Sequence, residues 1–410
     1  MRPYFTRERF GRPQFLAGLL LLAFLAQALW LVKSEWRFKA GLPAQEQARV
    51  TGGWRQWHGE GIAGAPYPNP EGSALLQISA EDGFDTEHSP LLSIVSAAPL
   101  LPLPERFWTA ESAAYWGWLP RLPFLACGVF LGASLWYVAR RLCGNSGGFI
   151  ALTLYCFSPT LIQASAVWHT EPEIAAAWGA FGTVFTAIAV AHTLYAPREV
   201  VLWNWRRIVL LAVSLAIAIG SQFSMIVLVP MALAFLLYVA PVRRQAGLVI
   251  WIAACVVGAA LLFAVYFFHS HAFAQSMRHA EFWGATWRSF AVLAVYKQIA
   301  LLISRACPAL ALALPVVLVT YAVWPRTRYF GNTAPLLVAV LFFALGMAHP
   351  HAGGEGFILA AVSFLFIFVS GVLADLLETQ YRPLVAACIV ALLATYIART
   401  LLALAQVRQG

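Results

Sequence analysis

The chain has 410 residues, of which 61% are hydrophobic and 11% are charged, and its mean hydropathy is +0.73. In soluble globular proteins about a quarter of the residues are charged. This composition therefore excludes a soluble enzyme and indicates a polytopic membrane protein. The formal net charge of +9 does not indicate nucleic-acid binding, because the arginines are scattered at the ends of apolar segments, where they set topology. The six cysteines form no C-x-x-C motif and are typical of small apolar side chains.

The first predicted transmembrane helix covers residues 15–32. Ala26-Gln27-Ala28 resembles a signal-peptidase site, but apolar sequence continues to Val32, and the full run has about the length that a bilayer needs. We therefore expect an uncleaved first transmembrane helix. Ten more apolar segments follow, at 119–139, 147–168, 172–192, 207–222, 223–240, 246–268, 306–324, 332–348, 357–376 and 383–403. The sequence thus predicts an all-α protein of about 11 transmembrane helices, with one broken helix pair over 207–240 as the alternative there.

The arginines also predict the orientation of these helices. A cytoplasmic N-terminus gives every short inner loop at least one arginine, as the positive-inside rule requires. Only four acids then lie inside, namely Glu8, Glu199, Asp375 and Glu378. We expect a protein of the cytoplasmic membrane, with its C-terminus and its functional site on the outer side. Residues 1–410 would form a single membrane domain with two long outer segments, 33–118 and 269–305.

The first outer segment holds the densest cluster of ionisable residues. Before the cluster, Val50, Trp54 and Trp57 recur at helical spacing, which predicts an amphipathic helix at the membrane interface over 46–58. The cluster itself reads E-D-G-F-D-T-E-H-S-P from Glu81, and its apolar continuation over 91–101 predicts a second interfacial helix. Two interpretations stay open: a site at the membrane face, or a solvated loop before a helix N-terminus that favours negative charge.

Three further groups of residues are candidates for chemistry. Glu171 lies at an outer helix junction, where it either caps a helix or serves a function, as ionisable residues near the hydrocarbon often do. The outer histidines include two H-x-H pairs, His269 with His271 and His349 with His351, and His169 lies near the membrane. Imidazole and carboxylate together would suit zinc, although interfacial histidines are often merely polar caps. Arg278 and Lys297 lie among aromatic residues, an arrangement that suits lipid phosphate and equally suits snorkelling.

Several short motifs follow one another in a distinctive order. They are Gln45-Glu46 with Arg49, then Glu87-His88-Ser89-Pro90-Leu91, Arg121-Leu122-Pro123, A-R-R-L-C-G-N-S-G-G over 139–148, Ser158-Pro159 and Thr170-Glu171. This order resembles the protein-O-mannosyltransferase and aminoarabinose-transferase type of GT-C glycosyltransferase, family 39. The resemblance covers about residues 14–200 and is only hydropathic beyond them.

The resemblance implies a GT-C fold and the transfer of a sugar from a polyprenyl phosphate to an acceptor hydroxyl on the outer face. The lipid-linked sugar would be a co-substrate, and no metal or other cofactor is expected. Glu46 would be the general base and His88 a ligand of the lipid phosphate. The full set of implied or candidate residues is Glu46, Glu171 and Glu87 for catalysis, His88, Arg49, Arg278 and Lys297 for the donor phosphate, and His169, His349 and His351 as further candidates.

This chain departs from the family pattern at two of these motifs. Gln45 stands where the family often has Asp, and Glu171 where it usually has Asp. Two alternatives therefore stay open. The first is a catalytically silent GT-C-like subunit of a membrane complex. The second is a transporter or metal-handling protein, which would need more polar residues within the membrane than Gln163 and Gln222. Besides membrane lipids and the donor, the partners would be an unidentified acceptor and, for a subunit, a membrane complex.

Overall fold

A computed structural model describes residues 12–38, 44–64, 85–103, 117–166, 173–195, 205–283, 286–348 and 355–406. Across these ranges every regular element is a helix, and there is no β-strand. The predicted all-α class is therefore confirmed. Glu171, His169, His349 and His351 lie outside the described residues.

The α-helices of the described ranges are numbered here in chain order. They are α1 Arg12–Phe38, α2 Ala44–Trp57, α3 Leu91–Ala97, α4 Leu122–Cys156, α5 Pro159–Ala166, α6 Ile174–Thr193, α7 Trp205–Ser221, α8 Leu228–Val239, α9 Arg244–Val265, α10 Ser270–His279, α11 Leu293–Ala306, α12 Pro308–Val323, α13 Phe330–Ala348, α14 Glu355–Leu376 and α15 Arg382–Gln406. Short 3₁₀-helices include Leu119–Arg121 before α4 and Phe223–Val227 before α8.

Seven helical segments of the described chain are long and apolar enough to cross a membrane. They are Pro13–Val32, Leu119–Cys156, Ile174–Thr193, Pro241–Val265, Phe330–Ala348, Gly356–Leu376 and Arg382–Gln406. The protein is therefore a multi-pass membrane protein. Helices occur at all eleven predicted positions, but the count of eleven spans is not confirmed, because α7, α8 and α12 have only 17, 12 and 16 residues. A straight span needs about 20 residues at about 1.5 Å each.

The longest helix, α4, turns back on itself at Cys143 and Gly144. Gly144 has a φ of 72°, which lies in the left-handed region that favours glycine. The hydroxyl of Tyr155 donates a hydrogen bond to the carbonyl of Gly128, although a straight helix would hold these two residues about 40 Å apart. The reversal therefore divides α4 into two antiparallel arms, 122–142 and 145–156, and the predicted segments over 119–139 and 147–168 are separate helical runs.

Helix α14 lies at the centre of the bundle, packed against α4, α6 and α13. Its side chains are buried on nearly all sides. The ring centroid of Phe364 lies 5.2 Å from that of Phe181 in α6 and 5.6 Å from that of Phe342 in α13. Helices α9 and α15 lie at the periphery and expose apolar side chains such as Val249, Val256 and Leu402. An exposed apolar surface of this kind suits contact with lipid.

One end of the bundle, called here the first-loop end, is formed by residues 44–64, 85–94, 119–121, 220–223 and 265–281. Helix α2 crosses it against α3 and the end of α9: Gln56 Nε2 donates to the carbonyl of Val265 at 2.7 Å, and Trp57 Nε1 donates to that of Ile94 at 2.9 Å. The helices predicted over 46–58 and 91–101 are both present. The other end, called the opposite end, comprises residues 140–147, 326–332 and 370–378.

Candidate active site

Glu46, in the first turn of α2, forms a buried ion pair with Arg121. Arg121 Nη2 donates to both carboxylate oxygens of Glu46, at 3.2 and 3.0 Å, and the two side chains are 2% and 4% exposed. Arg121 ends the 3₁₀-helix that leads into α4. The pair thus joins the start of α2 to the start of α4, two parts of the chain that lie 75 residues apart. Burying two charges is costly unless they are paired in good geometry, and this pair satisfies that condition.

The guanidinium of Arg121 has donors that the ion pair does not use. Its Nε and Nη1 are buried and have no hydrogen-bond partner among the described residues. Arginine carries five N–H donors in a planar fork, and a buried donor that stays unsatisfied costs free energy. Among the described residues, the guanidinium of Arg121 therefore bonds through Nη2 alone.

The acidic stretch forms a tight turn around Asp85. Asp85 Oδ1 accepts hydrogen bonds from the backbone N–H groups of Glu87 and His88, both at 3.0 Å. The same oxygen lies 3.1 Å from Nδ1 of the His88 ring. His88 is buried, whereas Glu87 is half-buried. The turn therefore fixes the imidazole against a carboxylate.

Electrostatics link this turn to α2. Burial alone raises the pKa of Asp85, but the hydrogen bond with His88 and the positive charges of His88 and Arg49 lower that pKa below its ordinary value of 3.8. Arg49 of α2 is thus one of the charges that act on Asp85. Since Arg49 and Glu46 are three residues apart on α2, they share one face of that helix. The Glu46–Arg121 pair and the Asp85–His88 pair therefore both belong to the first-loop end.

Residues 85–90 are bonded to several distant parts of the chain. Ser89 Oγ donates to the carbonyl of Gly220 at 2.6 Å, at the end of α7. The N–H of Phe223 donates to the carbonyl of Glu87 at 2.8 Å, and the N–H of Glu281 donates to that of Thr86 at 2.7 Å. A Cβ on Gly220 would lie 2.9 Å from Leu91 Cδ2, so glycine permits this close approach. The site is therefore assembled from segments spread over much of the sequence.

Tyr266 places α10 beside the same turn. Its buried hydroxyl lies 2.6 Å from Ser276 Oγ of α10, and its ring packs edge-on against Phe273. Tyr266 is also close enough to Asp85 for an electrostatic interaction. Sequence reasoning missed this residue, because a tyrosine at the end of an apolar segment resembles an ordinary interfacial aromatic residue.

The six predicted site residues that the structure describes lie in three places. Glu46, Arg49, Glu87 and His88 come together at the first-loop end. Arg278 is exposed on α10, three residues before the Glu281 that bonds to Thr86. Lys297 is exposed on α11, whose main contacts are with α5, α12 and α13. The described residues contain no cluster of three or more His, Cys, Asp or Glu that would hold a metal, and the chemical role of each predicted residue stays a prediction.

Two residues of the site gained their partners only from the structure. Arg121 belongs to an R-L-P motif, but nothing in its sequence neighbourhood identifies Glu46 as its partner. Asp85 belongs to the acidic cluster, and the sequence indicates no separate role for it. Its spacing of three residues from His88 nevertheless indicates that the two side chains can meet. A histidine and an acid at this spacing in a turn can meet directly.

No protein-family model matches the chain, and no curated protein matches it. Similar solved structures include three of the oligosaccharyltransferase of Archaeoglobus fulgidus: one with zinc and sulfate, one with an inhibitory peptide and a dolichol-phosphate, and one in the apo form. Their sequence identities are 14%, 13% and 14%, and the TM-score is 0.48 in each case. The matches cover 78%, 95% and 95% of this chain and 44%, 56% and 56% of those chains, so this chain spans about half their length. Similarity at this level does not establish a common fold or a common function.

Proposed function

We propose that this protein is a GT-C-type glycosyltransferase that moves a sugar from a polyprenyl-phosphate donor to an acceptor hydroxyl at the outer face of the membrane. The observation that carries the proposal is the burial of Glu46 and His88 at one end of the bundle. The family resemblance assigns the base and the phosphate ligand to these two residues. They lie about forty positions apart in the sequence, and each is held by its own charged partner.

The proposed reaction needs a base and a cluster of positive charge. The Glu46 carboxylate takes the proton of the acceptor hydroxyl, and the hydroxyl oxygen forms a bond to the anomeric carbon of the sugar. The bond from that carbon to the phosphate oxygen breaks, and the electron pair leaves with the polyprenyl phosphate. A carboxylate accepts a proton only in its ionised form, and the structure pairs the Glu46 carboxylate with the guanidinium of Arg121.

Positive side chains would then stabilise the departing phosphate. His88 and Arg49 both lie near Asp85, and Arg278 lies on the neighbouring helix α10. Groups that are already held in place stabilise developing charge without reorganising during the reaction. Because the donor carries a single phosphate, these side chains could offset its charge without a divalent ion, so we expect transfer to persist in the presence of a chelator.

A catalytically silent subunit of a membrane complex remains the second candidate. The observation that favours it is that Arg121 Nη2 bonds both oxygens of Glu46, which gives Glu46 a sufficient structural role. Under this alternative the first-loop end would serve to hold α2 on the bundle, and no donor lipid would bind there.

The experiment must separate a lost base from a broken ion pair. Glu46→Gln alone leaves Arg121 buried and unpaired, which costs about 3–5 kcal/mol and would lower activity through misfolding. The double variant Glu46→Gln with Arg121→Gln removes both charges and should restore the fold. With a defined polyprenyl-phosphate sugar in nanodiscs, we expect the double variant to bind the donor but to turn over about a hundred- to ten-thousand-fold more slowly than wild type.

Two results would reject parts of this proposal. Turnover of the double variant near the wild-type rate would show that Glu46 is not the base. A wild-type protein that folds, yet neither binds nor consumes any polyprenyl-phosphate sugar, would favour the silent subunit. Donor affinity is measured on the same samples, since a lost base lowers turnover and a lost phosphate contact lowers affinity.

A further inference from the structure

We infer that Asp85 is the positioning residue for His88: its carboxylate fixes the orientation of the imidazole and keeps it positively charged toward the phosphate of the donor. This inference rests on the proposed function, because it names the group that prepares a residue of that same site. No bond to His88 is made or broken in the transfer step, and the ring acts there as a fixed cation.

The geometry around the ring supports this role. Asp85 Oδ1 lies 3.1 Å from His88 Nδ1, so Nδ1 carries the proton that the carboxylate accepts, and the other ring nitrogen faces away from Asp85. The side chain of His88 is only 4% exposed. A buried ring held at one nitrogen by a carboxylate has a fixed orientation and a fixed site of protonation, since the partner of one nitrogen sets the state of the other.

Asp85 also has a purely structural use, which must be separated from this one. Its Oδ1 accepts the N–H groups of Glu87 and His88, and this closes the turn in the manner of an Asx turn. A turn needs only an oxygen acceptor, and the amide oxygen of asparagine supplies one. Holding a cation needs the negative charge as well. The charge of Asp85 is therefore the property to remove.

Other charged or titratable groups face this pair from several elements. Arg49 approaches from α2, and Tyr266 approaches from the end of α9. Glu87 belongs to the turn itself, and Glu281 donates its backbone N–H to Thr86. Arg49 opposes a positive charge on His88, whereas Asp85 and Glu87 favour it. Among the described residues, Asp85 is an acid in direct contact with the ring.

The test uses the full chain in nanodiscs with ¹⁵N-labelled histidine, and His88→Gln assigns the His88 signals. In Asp85→Asn we expect the midpoint of His88 protonation to move to lower pH. We also expect the affinity for a polyprenyl-phosphate sugar to fall about tenfold, as for a lost hydrogen bond to a charged group. The rise in KM should exceed the fall in kcat and should disappear at low pH, where the ring is protonated without Asp85.

Ser89→Ala is the matched control, because it removes the bond from Ser89 Oγ to Gly220 and loosens the same turn without changing its charge. It should lower stability and leave the His88 titration in place. If Asp85→Asn fails to fold, Asp85→Ser supplies another uncharged oxygen acceptor.

The outcomes separate the two proposals. An unchanged His88 titration and an unchanged KM in Asp85→Asn would overturn the role of Asp85, even if the wild type transfers sugar. Suppose instead that the His88 titration shifts in Asp85→Asn but the wild-type protein binds no polyprenyl phosphate. This result would support the Asp85–His88 relation and reject the proposed function.

Discussion

The two ends of the helical bundle hold their acidic residues in different ways. At the first-loop end, Glu46 is buried against Arg121, which lies 75 residues away. At the opposite end, Asp375 of α14 accepts a hydrogen bond from Asn332 Nδ2 of α13 at 2.9 Å. The ion pair at that end, Arg326 with Glu378, lies on the surface, where the side chains are 57% and 63% exposed.

This difference bears on where the proposed site lies. The polar contacts of the opposite end are explained by helix packing, because Asn332 also donates to the carbonyl of Thr327 and rests against Gly371, where a Cβ would lie 2.1 Å from Asn332 Oδ1. The first-loop end instead buries full charges, and apolar side chains of similar volume often stabilise a protein as well as a buried ion pair does. Retaining the charges there is consistent with a site, as the proposed function requires.

The largest expected difference between the two ends is in how an introduced cysteine at each end reacts with a reagent added outside an intact cell. We expect a cysteine at position 73, in the first loop, to react with an impermeant thiol reagent, and a cysteine at position 146, beside the turn of α4, to stay unlabelled. Both would be introduced as Ser73→Cys and Ser146→Cys in a variant whose six native cysteines are replaced. The reverse labelling pattern would place the candidate site in the cytoplasm and reject transfer at the outer face.

The second-largest effect concerns the buried ion pair. Arg121→Met removes the cation that bonds both oxygens of the buried Glu46 carboxylate, and we expect this to lower the free energy of unfolding by about 3–5 kcal/mol. Denaturant unfolding in detergent measures the loss. The control is Arg121→Met combined with Glu46→Leu, which should recover most of the stability because both charges of the pair are then absent. A single variant as stable as wild type would mean that the pair is solvated and that the first-loop end is not closed.

These two ends also show how far the sequence predicts the structure. Helices occur at every predicted span, and the turn of α4 falls within the glycine-rich motif over 139–148, because apolar length and glycine act locally. The pairing of Glu46 with Arg121 could not be predicted, since the spacing of residues within helices does not determine which distant helices meet. The sequence brought Glu46 and His88 into one site only through a family resemblance, and it left Asp85 without a partner.

A smaller effect tests how α2 is held on the first-loop end. Gly53 of α2 lies so close to α3 that a Cβ there would be 1.9 Å from the carbonyl oxygen of Ser93. Backbone atoms cannot move aside as a flexible side chain can. Gly53→Ala should therefore lower the free energy of unfolding by about 1–3 kcal/mol or more, as overpacking does. The neighbouring Gly52→Ala is the matched control, because its Cβ would lie 3.4 Å from Ala63 Cβ.

We expect Gly53→Ala to displace α2 and to reduce donor binding, while Gly52→Ala changes the free energy of unfolding much less. Thermal unfolding and binding of a polyprenyl-phosphate sugar measure the two effects. Equal stability of the two variants would mean that α2 does not pack on α3 as closely as the structure shows.

The smallest expected effect is at the opposite end. The Arg326–Glu378 pair is mostly exposed, and exposed pairs contribute about 0.2–1 kcal/mol, because water weakens the attraction and ordering two long side chains costs entropy. A double-mutant cycle of Arg326→Gln and Glu378→Gln measures the coupling energy, which should fall toward zero at high salt. The same cycle on Glu46 and Arg121 should give a larger coupling that salt changes little, since those side chains are buried. If the two coupling energies and their salt dependence were alike, burial would not distinguish the two ends, and the buried pair would not support a functional site at the first-loop end.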